Sequence, residues 1–375
     1  MNKDLIQKPL LAKSNRLLHY LKKIDNNRYY TNFGPLYEEC KKKFEKYLGL
    51  IKNTIIFTSN GHSSLLSICC LVKKENSKKK YILVPSFSFH ANPQAILQSG
   101  FEPIFMDIKI QDLCMDCEQI DKAFKKYKKN IAAIMFVSPF GYPISINYLN
   151  DIQNRFKTTV IYDAADTFPN FDKKTIDQSK ILIACSFHPL KTLPANESGM
   201  IITPRKYSNY FNSVVNFGLI NNKNKKTINL GFNAKFSEYD AAILMANLEN
   251  VKNIKKKIIK NIRYIIHRLE SNKFIKLQHL FGKTWISLKF LIITNKIINF
   301  KSLYSRFLSK YKIQIYKPWS DLPMHKHNFF IKFKKLSLEN TNFLERRIFC
   351  LPFSIDFSKK DLDRLINLIN NNFYE

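Results

Sequence analysis

The sequence predicts an α/β fold: a mostly parallel sheet with helices on both faces, followed by a smaller α+β region. Three observations lead there. First, the short apolar runs of the first two-thirds are continuous rather than alternating, as in strands covered on both sides. Second, these runs alternate with segments of helical spacing, the order expected of βαβ units. Third, near Ser237 the pattern gives way to one long helical stretch and then a mixture of strands and helices. The chain has 375 residues, 45% of them hydrophobic, enough to bury a large core. Residues 1–250 are expected to form the large domain and residues 251–375 the small one.

Each element has its own signal. Tyr37, Cys40, Phe44 and Leu48 recur at helical spacing, and Gly49 follows where a helix would end. Residues 54–58 read as a strand, 63–72 as a helix, and 81–84 as a strand stopped by Pro85. Strands over 103–107 and 131–137 flank a helix over 120–127. Two more strands fall at 160–163 and 181–186. Ser237, with Asp240 three residues on, is placed to cap a helix running through 241–269. A strand over 285–293, a helix over 299–311, a short strand over 312–315 and a helix over 360–371 complete the chain.

The net charge of +32 comes from 61 Lys and Arg against 29 Asp and Glu. It suits anionic partners, but the excess lies in scattered lysine runs such as 41–43, 78–80 and 255–257, read as solvated faces. No helix-turn-helix, zinc or aromatic-basic module accompanies it, so nucleic acid is not expected as a partner. No apolar stretch approaches the ~18 residues of a membrane span, and residues 1–18 lack a signal-type apolar run. The expectation is a cytoplasmic protein with reduced thiols and no membrane insertion. Cys114 and Cys117 form a lone CxxC, half of a four-ligand site, and no metal is expected.

In parallel α/β sheets, ligands bind beyond the carboxyl ends of the strands, so the residues following each strand matter most. After 54–58 comes Ser59-Asn60-Gly61-His62-Ser63-Ser64, a polar turn opening a helix whose free N–H groups suit a phosphate. After 81–84 comes Pro85-Ser86-Phe87-Ser88-Phe89-His90. The strand from Val160 ends in Asp163-Ala164-Ala165-Asp166, and that from Ile181 in Ser186-Phe187-His188-Pro189-Leu190-Lys191. A lysine for a Schiff base, a carboxylate for a ring nitrogen, an aromatic ring for stacking and a phosphate-binding turn are what a pyridoxal 5′-phosphate (PLP) site requires.

The order and wording of these blocks resemble the DegT/DnrJ-type (StrS-like) sugar aminotransferases. Asn60-Gly61-His62-Ser63-Ser64-Leu65 resembles that family's Asn-Gly-Thr-Ala-Ala-Leu, and Val84-Pro85-Ser86-Phe87-Ser88-Phe89 its Val-Pro-x-x-Thr-Phe. Gly100-Phe101-Glu102-Pro103 with Asp107, then Asp163-Ala164-Ala165, then Ser186 through Lys191, follow in the same order. Asn32-Phe33-Gly34-Pro35 precedes them, and Gly231-Phe232-Asn233 with Glu238 and Ala241-Ala242 comes after.

The resemblance implies the aspartate aminotransferase-like, fold-type I PLP architecture with a mostly parallel seven-stranded sheet. It implies Lys191 as the Schiff-base lysine and proton carrier, Asp163 at the pyridine nitrogen and Phe89 against the ring. It places the phosphate on Gly61, His62, Ser63 and Ser186, and Asp166 near the cofactor. Asn233 would reach the neighbouring subunit's phosphate, which implies a homodimer with shared active sites. His188 and Glu197 would face substrate. The implied reaction moves an amino group, with glutamate as donor, to the keto group of a nucleotide-linked deoxysugar in surface-glycan assembly.

The departures are specific. His62 and Ser63 replace Thr and Ala, Lys235 replaces Arg, and Asn196-Glu197-Ser198-Gly199 replaces Gly-Glu-Gly-Gly. Asp166 replaces a Gln beside the cofactor's phenolic oxygen, so it is either protonated, turned to a cation, or differently placed. Family members that dehydrate sugars carry His in place of the lysine, so Lys191 favours transamination. A regulatory or scaffold protein is the alternative from another class. Segments 216–230 and 316–327 are expected to face substrate.

Overall fold

The computed structural model describes residues 4–219, 226–276, 281–283, 285–318 and 322–373. Along the first part of the chain run α1 (Ser14–Asn27), α2 (Pro35–Leu48), β1 (Asn53–Thr58), α3 (Gly61–Glu75), β2 (Tyr81–Pro85), α4 (Ala91–Gln98), β3 (Glu102–Met106) and α5 (Cys117–Tyr127). Then come β4 (Ile131–Val137), α6 (Ile146–Phe156), β5 (Thr159–Asp163), β6 (Leu182–Ser186), β7 (Gly199–Pro204), α7 (Ser208–Val214) and α8 (Glu238–Glu249). The remainder is α9 (Val251–Leu269), β8 (Ile275–Lys276), β9 (Lys289–Thr294), α10 (Phe300–Tyr311), β10 (Lys334–Lys335), α11 (Glu339–Glu345), β11 (Ile348–Pro352) and α12 (Lys359–Asn372).

The large sheet has the order β1-β7-β6-β5-β4-β2-β3-β10. Its central strands are parallel, and β7 runs antiparallel to both neighbours. Seven strands match the expected architecture, and the two-residue β10 adds an eighth at the edge beside β3. Continuous apolar runs have the anticipated cause. In β1, Ile55 and Phe57 pack into one core while Ile56 packs into the other. Helices α3, α4 and α7 bury Leu65, Ile68, Ile96 and Phe211 on one face. On the opposite face α2, α5, α6 and α8 bury Phe44, Ile120, Leu149 and Met245. The second sheet, ordered β11-β9-β8, continues that second core through Phe290, Ile292 and Phe349.

The sequence reading did not include α1, α4, α6, α7, α11, β8, β10 and β11, and four further details differ from it. β7 is an additional strand, its Met200, Ile201 and Ile202 buried between β1 and β6. The helix over 241–269 is two helices, because the chain breaks at Asn250 (φ −97°, ψ 1°), although Ser237 caps its start as expected. The strand over 285–293 begins only at Lys289, because Asn170 binds the backbone of Ile286 through both its amide nitrogen and oxygen. Residues 312–315 make one isolated bridge, Leu5 with Ile313, rather than a strand, and the next residue, Tyr316, bridges to Cys350.

Glu238 ties the layers together. This buried carboxylate accepts from Leu36 N (2.7 Å) and Tyr37 N (2.9 Å), the orphan donors at the start of α2.

Candidate active site

The carboxyl ends of β1, β4, β5 and β6 open into a cleft of about 740 Å³. The register brings its parts together: Thr58 ends β1 opposite Gly199, Gly199 pairs with Ser186 at the end of β6, and Asp163 ends β5 beside Ala184. Gly199 is required there, because a Cβ would lie 2.3 Å from the Asn60 carbonyl oxygen.

The turn after β1 is built by its polar side chains. Asn60 Oδ1 accepts from Ser63 N (2.8 Å) and caps α3, while Asn60 O accepts from Ser64 N (3.2 Å). The N–H groups of Gly61 and His62 are thus the first-turn donors facing the cleft, at the positive end of a 15-residue helix. Gly61 packs so closely on β6 that a Cβ would meet Ser186 Cβ at 2.7 Å. This closeness brings the Ser186 hydroxyl to the same helix end. Ser63, expected here from the sequence, does not line the cleft. Its N–H is consumed by the cap and its hydroxyl by Ser59 Oγ (3.2 Å).

The β6–β7 connection presents the lysine. Phe187 N donates to Ser198 O (2.8 Å) and Ala195 N to Phe187 O (2.6 Å), closing the base of the loop. Asn247 of α8 donates to Pro194 O (2.6 Å) and pins its far side. Within the loop His188 N donates to Ser186 Oγ (3.3 Å) and Lys191 N to His188 O (2.8 Å). Lys191 is thereby held with its amine in the cleft. Burial, first of all, lowers its pKa.

Two carboxylates face this amine in different states. Asp163 Oδ2 accepts from Asn92 Nδ2 (2.5 Å) and its Oδ1 from Ala165 N (3.0 Å). Both partners are neutral, and burial raises its pKa despite them. Asp166 instead accepts from two ammonium groups, Lys191 Nζ on Oδ1 (2.9 Å) and Lys289 Nζ on Oδ2 (2.8 Å). Burial works against its charge, but the two lysines prevail and hold it well below the usual carboxylate range. Of the three arrangements open from sequence, the turn towards a cation is the one adopted.

Residues 12–370 match the DegT/DnrJ/EryC1/StrS aminotransferase family. The chain belongs to this family. Among similar proteins is the dTDP-4-amino-4,6-dideoxy-D-glucose transaminase of Shigella dysenteriae, 29% identical over 66% of this chain and 65% of that protein. Another is the 3-oxo-glucose-6-phosphate:glutamate aminotransferase of Bacillus subtilis (strain 168), 29% identical over 66% of this chain and 55% of its own length. The chain thus spans between half and two-thirds of these relatives. The solved structure of NtdA from Bacillus subtilis with bound cofactor PMP superposes with a TM-score of 0.84. It covers 96% of this chain and 82% of that one at 24% identity, a likeness of fold.

In this DegT-family chain the donor set fits PLP. A lysine amine, a buried carboxylate that makes no ion pair among the described residues, two helix-end N–H groups and a hydroxyl converge on one cleft, and the phenyl ring of Phe89 lines its wall. Phe89 is 51% exposed, as a ring that presents one face to the cleft would be. His62 lines the rim and donates Nε2 to Gln98 Oε1 (2.9 Å). His188 and exposed Glu197 also line the cleft, Nε2 to Oε1 at 3.5 Å, and burial lowers the imidazole's pKa. Asn233 is exposed and does not line this chain's cleft. Lys235 lies over the Phe217 ring at 4.6 Å.

Tyr316, at the start of a segment expected to face substrate, lines the cleft, whereas Lys289, Gln314 and Gln7, with Asn92 behind Asp163, were absent from the sequence reading. Lys289 is one of 61 basic residues and carries no motif. Asn92 gave one usable signal, a polar residue on a helix face that is otherwise buried. Parts of the expected substrate-facing segments, 220–225 and 319–321, lie outside the described residues.

Proposed function

We propose that the chain is a PLP-dependent sugar aminotransferase, with a nucleotide-linked keto-deoxysugar as acceptor and glutamate as donor. The observation that carries this reading is the convergence of Lys191 and Asp163, from neighbouring strand ends, on one cleft beside the first turn of α3. Family membership and the two sugar aminotransferases among the similar proteins, one of them named for a dTDP-linked sugar and the other for glutamate, support it. PLP, when bound, supplies a carbonyl for the amine and a ring that withdraws electrons from the reacting carbon.

The chain's own groups take the remaining tasks. Gly61 N, His62 N and Ser186 Oγ would hold the phosphate, the helix dipole favouring its charge. Asp163, buried without a cation, would keep a ring nitrogen protonated. Phe89 would stack on the ring. Lys191 would join the cofactor and carry a proton between its carbon and the substrate's. His188 and Glu197, at the open side, would face the sugar. The working unit we propose is a homodimer in which Asn233 reaches the partner's phosphate. The open stack of Tyr30 and Tyr239 (6.3 Å) near the start of α8 supports an interface on that side. Surface-glycan assembly in the cytoplasm is the proposed setting.

The test is spectroscopic. Protein incubated with PLP should show a visible band that glutamate bleaches and a keto-sugar nucleotide restores. Borohydride reduction followed by peptide mapping should place the cofactor on Lys191, and Lys191→Ala should lose the band. A wild type without a band, or a map that places the cofactor elsewhere, overturns the reading.

A further inference from the structure

Lys289 reaches the cleft from the second sheet, and its charged side chain is bound to Asp166. It opens β9, where its N–H donates to Ser287 Oγ (3.0 Å) and its backbone pairs with Pro352 of β11. Its side chain crosses to Asp166, so a single carboxylate, 9% exposed, bridges two ammonium groups that are each 17% exposed. Such enclosure removes most of the solvent screening that makes surface pairs weak.

An amine must be unprotonated to attack a carbonyl. A single aspartate beside Lys191 would stabilise its ammonium form and slow that step. A second cation on the same carboxylate has the opposite effect, since it shares the negative charge and repels a proton on its neighbour. It also supplies a counter-charge that Asp166 retains whatever the charge on Lys191, so the buried carboxylate is never left alone.

We propose that Lys289 is a positioning residue acting through Asp166, which it keeps ionised and fixed in place while loosening that carboxylate's hold on the Lys191 amine. This rests on the aminotransferase reading above. It also accounts for Asp at position 166. The Asp166–Lys289 pair presents a fixed, charge-balanced unit to Lys191 where the related proteins were expected to carry a neutral amide. Among the described residues, the other titratable groups at the cleft with Lys191 are Asp163 from β5, His188 and Glu197 from the β6–β7 loop, His62 from α3 and Lys317. Tyr316 comes from the segment after α10, and Cys350 of β11 lies beside Lys289 and Tyr316. The lowered pKa of Lys191, with Lys289 among its causes after burial, agrees with the geometry.

The experiment follows capture of PLP by cofactor-free protein across pH, read as growth of the visible band. It compares wild type, Lys289→Met, Lys289→Arg, Asp166→Asn and the double variant Asp166→Asn/Lys289→Met, with exposed Lys296→Met as a surface control. Loss of Lys289 alone should raise the midpoint of the pH profile by about one unit and slow capture near neutrality about tenfold. Lys289→Arg should stay within about threefold of wild type because the cation remains, and removing both charges should return the midpoint towards wild type. An unmoved midpoint in a folded Lys289→Met protein overturns the proposal. If that variant does not fold, Lys289→Gln, which keeps a donor for Asp166 without the charge, takes its place, and an unmoved midpoint in it overturns the proposal. With Asp166 gone, Lys289 should move the midpoint far less than with Asp166 present, and an equal shift in both backgrounds also overturns it. A wild type that captures no PLP refutes the aminotransferase reading instead, so the two failures are distinct.

Discussion

Replacing Gly61 by Ala probes the phosphate turn without adding any polar group. The backbone at Gly61 is not in the left-handed region, so alanine is conformationally acceptable and gains up to about 1 kcal/mol of helix propensity. Against this, the new methyl would lie 2.7 Å from Ser186 Cβ, 3.0 Å from its Oγ and 3.4 Å from its Cα. Ordinary carbon contacts begin near ~3.5 Å, so the start of α3 must move from β6 by roughly 0.7 Å or more. Overpacking of this kind costs about 1–3 kcal/mol, which exceeds the propensity gain and leaves a net loss near ~1 kcal/mol. A melting shift of a few degrees is expected. The larger effect falls on cofactor affinity, since the N–H groups of Gly61 and His62 move relative to Ser186. Losing one hydrogen bond to a charged group is worth about 1.5–3 kcal/mol, or about 10- to 150-fold in Kd. PLP titration followed by absorbance, with inorganic phosphate as competitor, reads this directly. Ser186→Ala separates the two contributions, lowering affinity without the clash. A Gly61→Ala protein with unchanged melting temperature and unchanged affinity for PLP and phosphate would refute the argument.

Asp163→Asn should keep the bond from Ala165 N on its one oxygen and donate its new amide to a flipped Asn92, so PLP binds, but turnover should fall about 10²–10³-fold with the loss of a charge aimed at the ring. Asp163 also has a raised pKa. Its contribution to stability is present below the ordinary carboxylate range and is lost as pH rises through the raised value. In the cofactor-free protein Asp163→Asn should therefore remove that loss, visible as a higher melting temperature at neutral pH. Asp166 has the opposite sign. Its stabilisation is present above ~4 and disappears as pH falls through the lowered value, so Asp166→Asn should flatten the acid limb of a stability profile. His325, buried with Nδ1 2.6 Å from Ser86 Oγ, has a pKa pushed down by burial to about 4. Its unfolded value is near ~6.5, so stability should be full above that pH and fall by about 2 kcal/mol as pH drops towards 4, a slope that His325→Gln abolishes. Glu238→Ala strips both acceptors from the start of α2 and should cost about 2 kcal/mol in denaturant unfolding, with Glu238→Gln retaining part of it.

Much of this fold could be read from local pattern. Strands such as Ile131–Val137 are apolar throughout because each side meets a different helical layer, and a sequence records that directly. The turn from Ser59 to Ser64 and the segment from Ser186 to Lys191 were legible because their chemistry is contiguous. What escaped was set by distant partners. Ile286 left its strand because Asn170 took its backbone groups, a match between residues far apart in sequence. Ser63 read as a phosphate ligand by position, yet the cap chemistry of Asn60 claimed its N–H first. Lys289 was invisible for a similar reason. Its role depends on the second sheet meeting the end of β5, and nothing in its neighbourhood along the chain distinguishes it from other lysines.

The two carboxylates at the end of β5 show why such contacts decide chemistry. Asp163 and Asp166 leave the same strand end and face the same amine, and either spacing or residue type alone would make them interchangeable. Their partners separate them. Asp166 already has two cations, so a further positive group gains little there. Among the described residues Asp163 is hydrogen-bonded by an amide and a backbone N–H, both neutral, and burial raises the free energy of its charged form. A protonated ring nitrogen at Asp163 would relieve that cost, whereas at Asp166 it would have to displace a lysine. Charge balance in the cleft thus supports the proposed pairing of the ring nitrogen with Asp163, and on the same proposal Lys289 contributes to it by keeping Asp166 satisfied.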